Sequence, residues 1–573
     1  MSPGIRVWAP NATGVEVVAG DQRTSMRRDG GGWYSAPMQA AGPDQRYLLS
    51  VDGREPRPDP RSASQPDGVH GPSQLVDHPA FPWSDTGWKG LPLADAVIYE
   101  LHLGTFTPAG TFDGAADRVD YLRDLGVNAV ELMPVAAFPG ARGWGYDGVD
   151  LYAPQATYGG PDGLKRLVDR CHQAGIAVVL DVVYNHLGPD GNYLAEFGPY
   201  FTGVYQTPWG TAINFDGAGS DEVRRFFIDN ALMWLRDYHL DGLRLDAVQA
   251  IIDTSAVHFL EQVATAVDAL EQELDRELWL IAESDLNDPR VVSAREVGGH
   301  GFDAQWSDDF HHALHTALTG ERTGYYQDFN GVHDVATALR QAFVFDGRYS
   351  GYRGRSYGRR PAGLPGTAFL GYVQDHDQVG NRAGGERISA LVSPGRAMAA
   401  AALVLTSPFV PMLFAGEEWA ASTPFLYFTD HRDAGLARSV TAGRRREFAA
   451  FGWPAKDVPD PQAEATFEAS RLRWEELDHA PHRQMHRWYR DLLALRRDNP
   501  ALRDGRLEDV RVRFGESWLE VRRGQVAVCC NLGAGPERFE VSGEVLLASG
   551  PGVIPQPDRL EVPAETTAVV RLD

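Results

Sequence analysis

Gly163-Leu-Lys-Arg-Leu-Val-Asp-Arg-Cys-His-Gln173, then Ala-Gly, then Ile176-Ala-Val-Val-Leu180-Asp181: a helical stretch, a break at glycine, and a short apolar run ending on a carboxylate. This unit decides the fold because it recurs. Upstream, Val97-Ile98-Tyr99 precedes a helix pattern from Ala115 to Leu125, and Asn128-Ala-Val-Glu-Leu132 follows it. Downstream, a long helix from Ser220 to Tyr238, with apolar Phe226, Phe227, Leu232 and Leu235, leads into Gly242-Leu-Arg-Leu245. A helix from Ser255 to Glu273 leads into Leu278-Trp-Leu-Ile-Ala282, and Phe302–Trp306, Ala368–Val373 and Phe409–Phe414 complete the series. Eight apolar runs alternating with helices predict an α/β chain built on a (β/α)8 TIM barrel. A doubly wound open sheet is the weaker alternative, because no glycine-rich phosphate fingerprint follows the first run.

Outside this region the texture changes. Residues 1–90 carry short alternating runs, Ile5-Arg-Val-Trp8 and Val15-Glu-Val-Val18 among them, separated by Gly/Asp/Pro clusters, which predicts a β-sandwich. The barrel then covers 91–500, including an odd Gly-, Arg- and Tyr-rich stretch, Phe345 to Arg360, between the sixth and seventh strands. A helix from His482 to Arg497 ends at Asn499-Pro500, after which alternation returns in Val510–Phe514, Trp518–Val521 and Val526–Val528. Residues 501–573 therefore read as a C-terminal all-β sandwich.

At 573 residues the chain is too long for a single core. Its 54 Lys+Arg against 78 Asp+Glu leave a net charge of −24 with no basic tail. That argues against nucleic acid or an anionic membrane, both of which need clustered positive charge. Cys171, Cys529 and Cys530 are the only cysteines, which rules out a disulfide framework and points to a reducing compartment. No signal peptide opens the sequence and no long apolar run suggests a membrane span. The expected location is cytoplasmic, and no partner protein is indicated.

In such a barrel, polar residues at the C-terminal ends of the strands face the active-site mouth. Four ends carry an unusual load: Asp181, Asn185 and His186 after the third strand, Arg244 and Asp246 on the fourth, Glu283 after the fifth, and Asp375-His376-Asp377 after the seventh. Arg244 and Asp246, two apart, share one face of a strand, so the arginine should keep Asp246 ionised. Glu283 follows Leu-Trp-Leu-Ile-Ala, an apolar setting that raises a carboxyl pKa. A carboxylic acid and a carboxylate on opposite sides of a sugar are what glycoside cleavage requires.

The strings Asp181-Val-Val-Tyr-Asn185-His186, Gly242-Leu-Arg244-Leu-Asp246-Ala, Ile281-Ala-Glu283-Ser and Gln374-Asp-His376-Asp377-Gln378 resemble the four sequence regions of the α-amylase family, in that family's order. The resemblance covers roughly 95–500. It implies Asp246 as nucleophile, Glu283 as acid/base and Asp377 as the third carboxylate, with His186, His376 and Gln378 beside the sugar. Tyr146, in Trp144-Gly-Tyr146-Asp147, resembles the family's aromatic platform under the sugar. Asn185 matches a calcium ligand of secreted amylases, but no oxygen-rich constellation surrounds it in the sequence, so no metal and no cofactor are expected.

Three further strings are similar to the family's maltooligosyltrehalose trehalohydrolase group: Phe345-Asp-Gly-Arg-Tyr-Ser-Gly-Tyr-Arg-Gly-Arg, Ala282-Glu283-Ser-Asp-Leu-Asn287, and Glu417-Glu-Trp419 leading to Pro424-Phe425-Leu-Tyr427-Phe-Thr-Asp430-His431. Where many amylases carry a Lys-His pair after the nucleophile, Gln249 and Ala250 stand here. The implied ligands are maltooligosyltrehalose and α-1,4-glucan oligosaccharides, with Glu417, Phe425 and Tyr427 as further substrate contacts. A glycogen branching or debranching enzyme is the nearest alternative, and a non-catalytic glycan-binding protein a remote one.

Overall fold

The computed structural model describes residues 4–42, 45–450, 453–454 and 458–573. Its centre is a closed barrel of eight parallel strands, numbered here β1 (Ile98–Leu101), β2 (Ala129–Leu132), β3 (Ala177–Val182), β4 (Gly242–Leu245), β5 (Trp279–Ala282), β6 (Ala304–Trp306), β7 (Phe369–Tyr372) and β8 (Val410–Phe414). Every residue of these strands is buried. The strands therefore read as continuous apolar runs and not as alternating ones.

Two of the helices differ from the sequence reading. The stretch expected as a helix from Ser255 begins only at Phe259. Asp253 takes the backbone N–H groups of Ser255 (2.9 Å) and Phe259 (2.7 Å), which holds the intervening residues as a capping turn. The helix expected over Ala115–Leu125 is two pieces, Phe112–Ala116 and Val119–Leu125, the first capped by Thr111 and the second ended by left-handed Gly126.

Period two along each strand sorts the barrel interior into layers. Ile98, Ala129, Ala177, Val179, Trp279, Ile281, Leu370, Val410 and Met412 form an apolar plug. One step further toward the C-terminal ends, the inward positions become Glu100, Glu131, Asp181, Arg244 and Trp306, all buried. The change from apolar to ionic within one register step sets the floor of the site.

Before the barrel, a four-stranded and a three-stranded antiparallel sheet share one core, with Val7, Val17, Tyr34 and Leu49 fully buried. Arg61, at the end of this region, bonds Asp229 (2.8 Å) and the Tyr152 hydroxyl (3.0 Å) of the barrel. After the barrel, a five-stranded and a three-stranded antiparallel sheet enclose Ala527, Phe539, Leu560 and Val570. Arg523 pins this part to the barrel by donating to the carbonyls of Thr406 and Ser407. Among the described residues, no helix is long and apolar enough to cross a membrane.

Candidate active site

The site is organised around one guanidinium. Arg244, 1% exposed, has its guanidinium carbon over the Trp306 ring, 4.3 Å from the centroid. Its Nη1 donates to Asp181 at 2.7 Å and to Asp246 at 3.1 Å, and its Nη2 meets Glu283 at 2.9 Å. Carboxylates from the ends of β3, β4 and β5 are thus drawn to one point. Buried ions survive only when paired in this way.

Each carboxylate has a second, distinct anchor. Asp246 accepts from the Asn185 side-chain amide at 2.8 Å. Glu283 accepts from the backbone N–H of Ala247 at 2.9 Å. Ala247 adopts φ +39°, a left-handed conformation that costs a non-glycine residue about 1–3 kcal/mol. That turn aims the N–H at Glu283. Asp377, half-buried, accepts from Asn381 at 2.9 Å.

Burial pushes Glu283 up to about 7, with Asp246 and Asp377 adding to the rise and Arg244 opposing it. Burial raises Asp246 as well, so the ionisation expected from Arg244 alone is not the whole account. Arg244 and the Asn185 amide oppose that rise, and both favour the anion at Asp246. Both carboxyls are thus raised by burial and both are supplied with donors, Glu283 by Arg244 and the Ala247 N–H, Asp246 by Arg244 and Asn185.

Tyr146 stacks on His376 with ring centroids 5.2 Å apart, and its hydroxyl bonds Asp181 at 2.5 Å and His376 Nε2 at 2.8 Å. His186 sits against Asn185 and the Tyr146 carbonyl and stacks under the half-exposed Trp209 at 4.9 Å. The structure thus brings Asp246, Glu283, Arg244, Tyr146, His186 and His376 into one connected network, with Asp377 beside His376. Gln378 points aside: its carbonyl faces the hydroxyls of Tyr325 (3.3 Å) and Tyr326 (3.5 Å).

Two expected contacts are corrected. Phe425 is 1% exposed and packs against Trp144 (5.1 Å, nearly parallel), Phe414 and Phe428, inside an aromatic core with no open face. Glu417 is buried and accepts from the Tyr489 hydroxyl at 2.8 Å, away from the carboxylate cluster. Burial pushes it up to about 8, which marks a neutral structural carboxyl. Tyr427 is half-buried, edge-on to Trp144, with the Arg444 guanidinium 4.7 Å over its ring.

At Asn185, the residue that matches a calcium ligand, the amide nitrogen donates to Asp246 and the oxygen lies on His186 Nδ1. Among the described residues no group of three or more His, Cys, Asp or Glu side chains is placed to hold a metal ion. Sequence reasoning missed Glu100, Trp306 and Trp209. The first two were available from period two, two residues beyond Ile98 and Ala304 on inward-facing registers. Trp209 lies in a hairpin, Phe201–Thr207 paired with Gly210–Ile213, where nothing local marks direction.

The alpha amylase catalytic-domain family matches residues 63–201. The malto-oligosyltrehalose trehalohydrolase of Mycobacterium tuberculosis (strain H37Rv) is 49% identical over 577 residues, covering 99% of each chain. That of Arthrobacter ramosus is 49% identical over 549 residues, covering 95% of each. Among solved structures, a putative alpha amylase from Salmonella typhimurium superposes with a TM-score of 0.91 at 38% identity, covering 99% of this chain and 97% of its own.

Proposed function

The chain belongs to the malto-oligosyltrehalose trehalohydrolases of the α-amylase family, and on that premise we propose a role for each residue of its site. The enzyme is a glycoside hydrolase that cleaves the α-1,4 bond between trehalose and a maltooligosyl chain. The observation that carries the assignment of roles is the convergence of Asp246 and Glu283 on Arg244.

Glu283, protonated, gives its proton to the glycosidic oxygen as trehalose leaves, while Asp246 attacks the anomeric carbon from the other face. The C–O bond to trehalose breaks and an ester bond to Asp246 forms. Glu283, now ionised, takes a proton from water, which displaces Asp246 and leaves a maltooligosaccharide with its α configuration retained. Arg244 stabilises the anions of both steps, and Asp377 holds sugar hydroxyls as the ring flattens. The Tyr146 ring carries the face of the sugar at the cleavage point. Tyr427 is the surviving candidate on the leaving-group side.

The substrate is a neutral oligosaccharide, so the charge of −24 serves solubility and not recognition. We take the working division as 1–90, 91–500 and 501–573. The three cysteines are all free and buried, in keeping with a reducing, cytoplasmic setting. Incubation with maltotriosyltrehalose should give trehalose and maltotriose, separated by chromatography. New α-1,6-linked product without free trehalose would mean a branching enzyme.

A further inference from the structure

We propose that Glu100 is a positioning residue that holds the His376 ring doubly protonated and thereby locks the Tyr146 hydroxyl onto Asp181. Its catalytic consequence rests on the roles proposed for Tyr146 and Asp246; the protonation state itself does not.

Hydrogen-bond counting carries the argument. Asp181 Oδ2 accepts from Arg244 Nη1 at 2.7 Å, and a guanidinium can only donate. The same oxygen lies 2.5 Å from the Tyr146 hydroxyl, so Tyr146 directs its one proton there. His376 Nε2, 2.8 Å from that hydroxyl oxygen, then has no proton to accept and must donate. His376 Nδ1 faces a carboxylate oxygen of Glu100, and the other Glu100 oxygen accepts the His376 backbone N–H at 3.0 Å. Both ring nitrogens are donors, which defines an imidazolium. The string Glu100–His376–Tyr146–Asp181–Arg244–Asp246 therefore crosses the barrel from β1 to the nucleophile with every hydrogen assigned: His376 donates to Glu100 and to Tyr146, Tyr146 to Asp181, and Arg244 to Asp181 and Asp246.

The neighbours agree with that assignment. Glu100 and His376 are 1% and 2% exposed, so each charge requires the other. Burial opposes the charged ring, but the Glu100 carboxylate, with Asp377 and Asp375 adding, carries His376 up to about 10. From β2, Glu131 stands beside Glu100 in register, with neither carboxyl oxygen hydrogen-bonded, and burial and Glu100 push it well above the carboxylate range. Asp375, on the same segment as His376, is raised by burial and then by Glu100. His102, following β1, is held down to about 4 by burial. Trp144 and Trp306 present rings to His376 at 5.5 and 6.1 Å. Glu100 is thus the carboxyl hydrogen-bonded to both the ring and the backbone of His376, while burial pushes Glu131 and Asp375 up and His102 down.

Nitrogen-15 histidine labelling, with His376→Gln to assign the resonance, reads both ring nitrogens in the whole enzyme. At pH 8 the wild type should show both protonated at His376, and Glu100→Gln only one. Glu100→Gln keeps a hydrogen-bonding group of the same shape but removes the charge. Its kcat should fall about ten- to hundredfold, the range for losing one charged hydrogen bond, with KM little changed. A further alkaline loss of activity should also appear, in addition to the limb that the wild type already shows. A neutral His376 in the wild type overturns the proposal even if Glu100→Gln fails to fold. A Glu100→Gln enzyme with wild-type kcat and pH profile overturns its catalytic part, whatever the fate of the function proposed above.

Discussion

The ends of β3, β4 and β5 and the segment from Glu417 to His431 after β8 both supply expected substrate contacts in the sequence reading, and the fold treats them oppositely. At the strand ends, Asp181, Asp246 and Glu283 meet on Arg244 within 3.1 Å or less. In the segment after β8 the same kinds of residue scatter. Glu417 turns to Tyr489 and Glu418 to Tyr99 and Tyr121, while Phe425 and Phe428 sink into an aromatic core. Asp430 accepts from Ala141 N–H at 2.8 Å and pairs with Arg142 at 3.1 Å, and Trp144 donates to the Leu426 carbonyl at 2.9 Å. This segment buttresses the loop that carries Tyr146. A strand fixes the direction of every second side chain; a loop fixes none, and its aromatics go wherever apolar surface is available.

The comparison breaks first at Asp246. Asp246→Asn should lower kcat by about 10²–10⁴ or more, the scale for losing a catalytic group, without lowering the melting temperature. A variant with near-normal rates removes the strand ends from the chemistry. Glu283 gives the contrast in pH. It is active as the acid, so kcat/KM should fall as pH rises through about 7, tenfold per unit beyond it, and Glu283→Gln should abolish that limb along with most of the rate.

The buttress should fail in a different currency. Phe425→Ala removes a buried ring and should cost about 3–5 kcal/mol of stability, read by denaturant unfolding. Its activity losses on maltotriosyltrehalose and maltopentaose should be equal. Tyr427→Ala should cost less stability and lower kcat/KM more for the trehalose-ended substrate. Equal losses there would place Tyr427 in the buttress too. The smallest effect expected is none: activity should survive extensive EDTA treatment, since both ends of the Asn185 amide are engaged within the protein. Loss restored by calcium would contradict that reading.

The barrel was legible because each apolar run is bounded by glycine or a helix, and because burial on both faces leaves the runs unbroken. The observed strand ends lie within two residues of the runs read from sequence. The carboxylates were legible because they sit on or next to strands. Glu100 and Trp306 obey the same alternation and were overlooked for lack of a neighbouring motif. Phe425 and Glu417 could not be placed from sequence, since whether a loop residue meets a sugar or a core depends on Trp144 and Tyr489, distant in the chain. The start of the helix at Phe259 turned on Asp253, whose carboxylate outcompetes the first helical turn for two backbone donors.

The central claim is that Asp246, held by Arg244 and Asn185, forms the covalent bond to the sugar. It is tested most directly by trapping that bond with a fluorinated maltosyl fluoride in the Glu283→Gln enzyme and mapping the modified peptide by mass spectrometry. The added glycosyl mass should lie on the peptide containing Asp246, at that residue. Attachment to Asp181, Asp377 or another carboxylate, or a β-configured product appearing first with no adduct at all, would contradict the account.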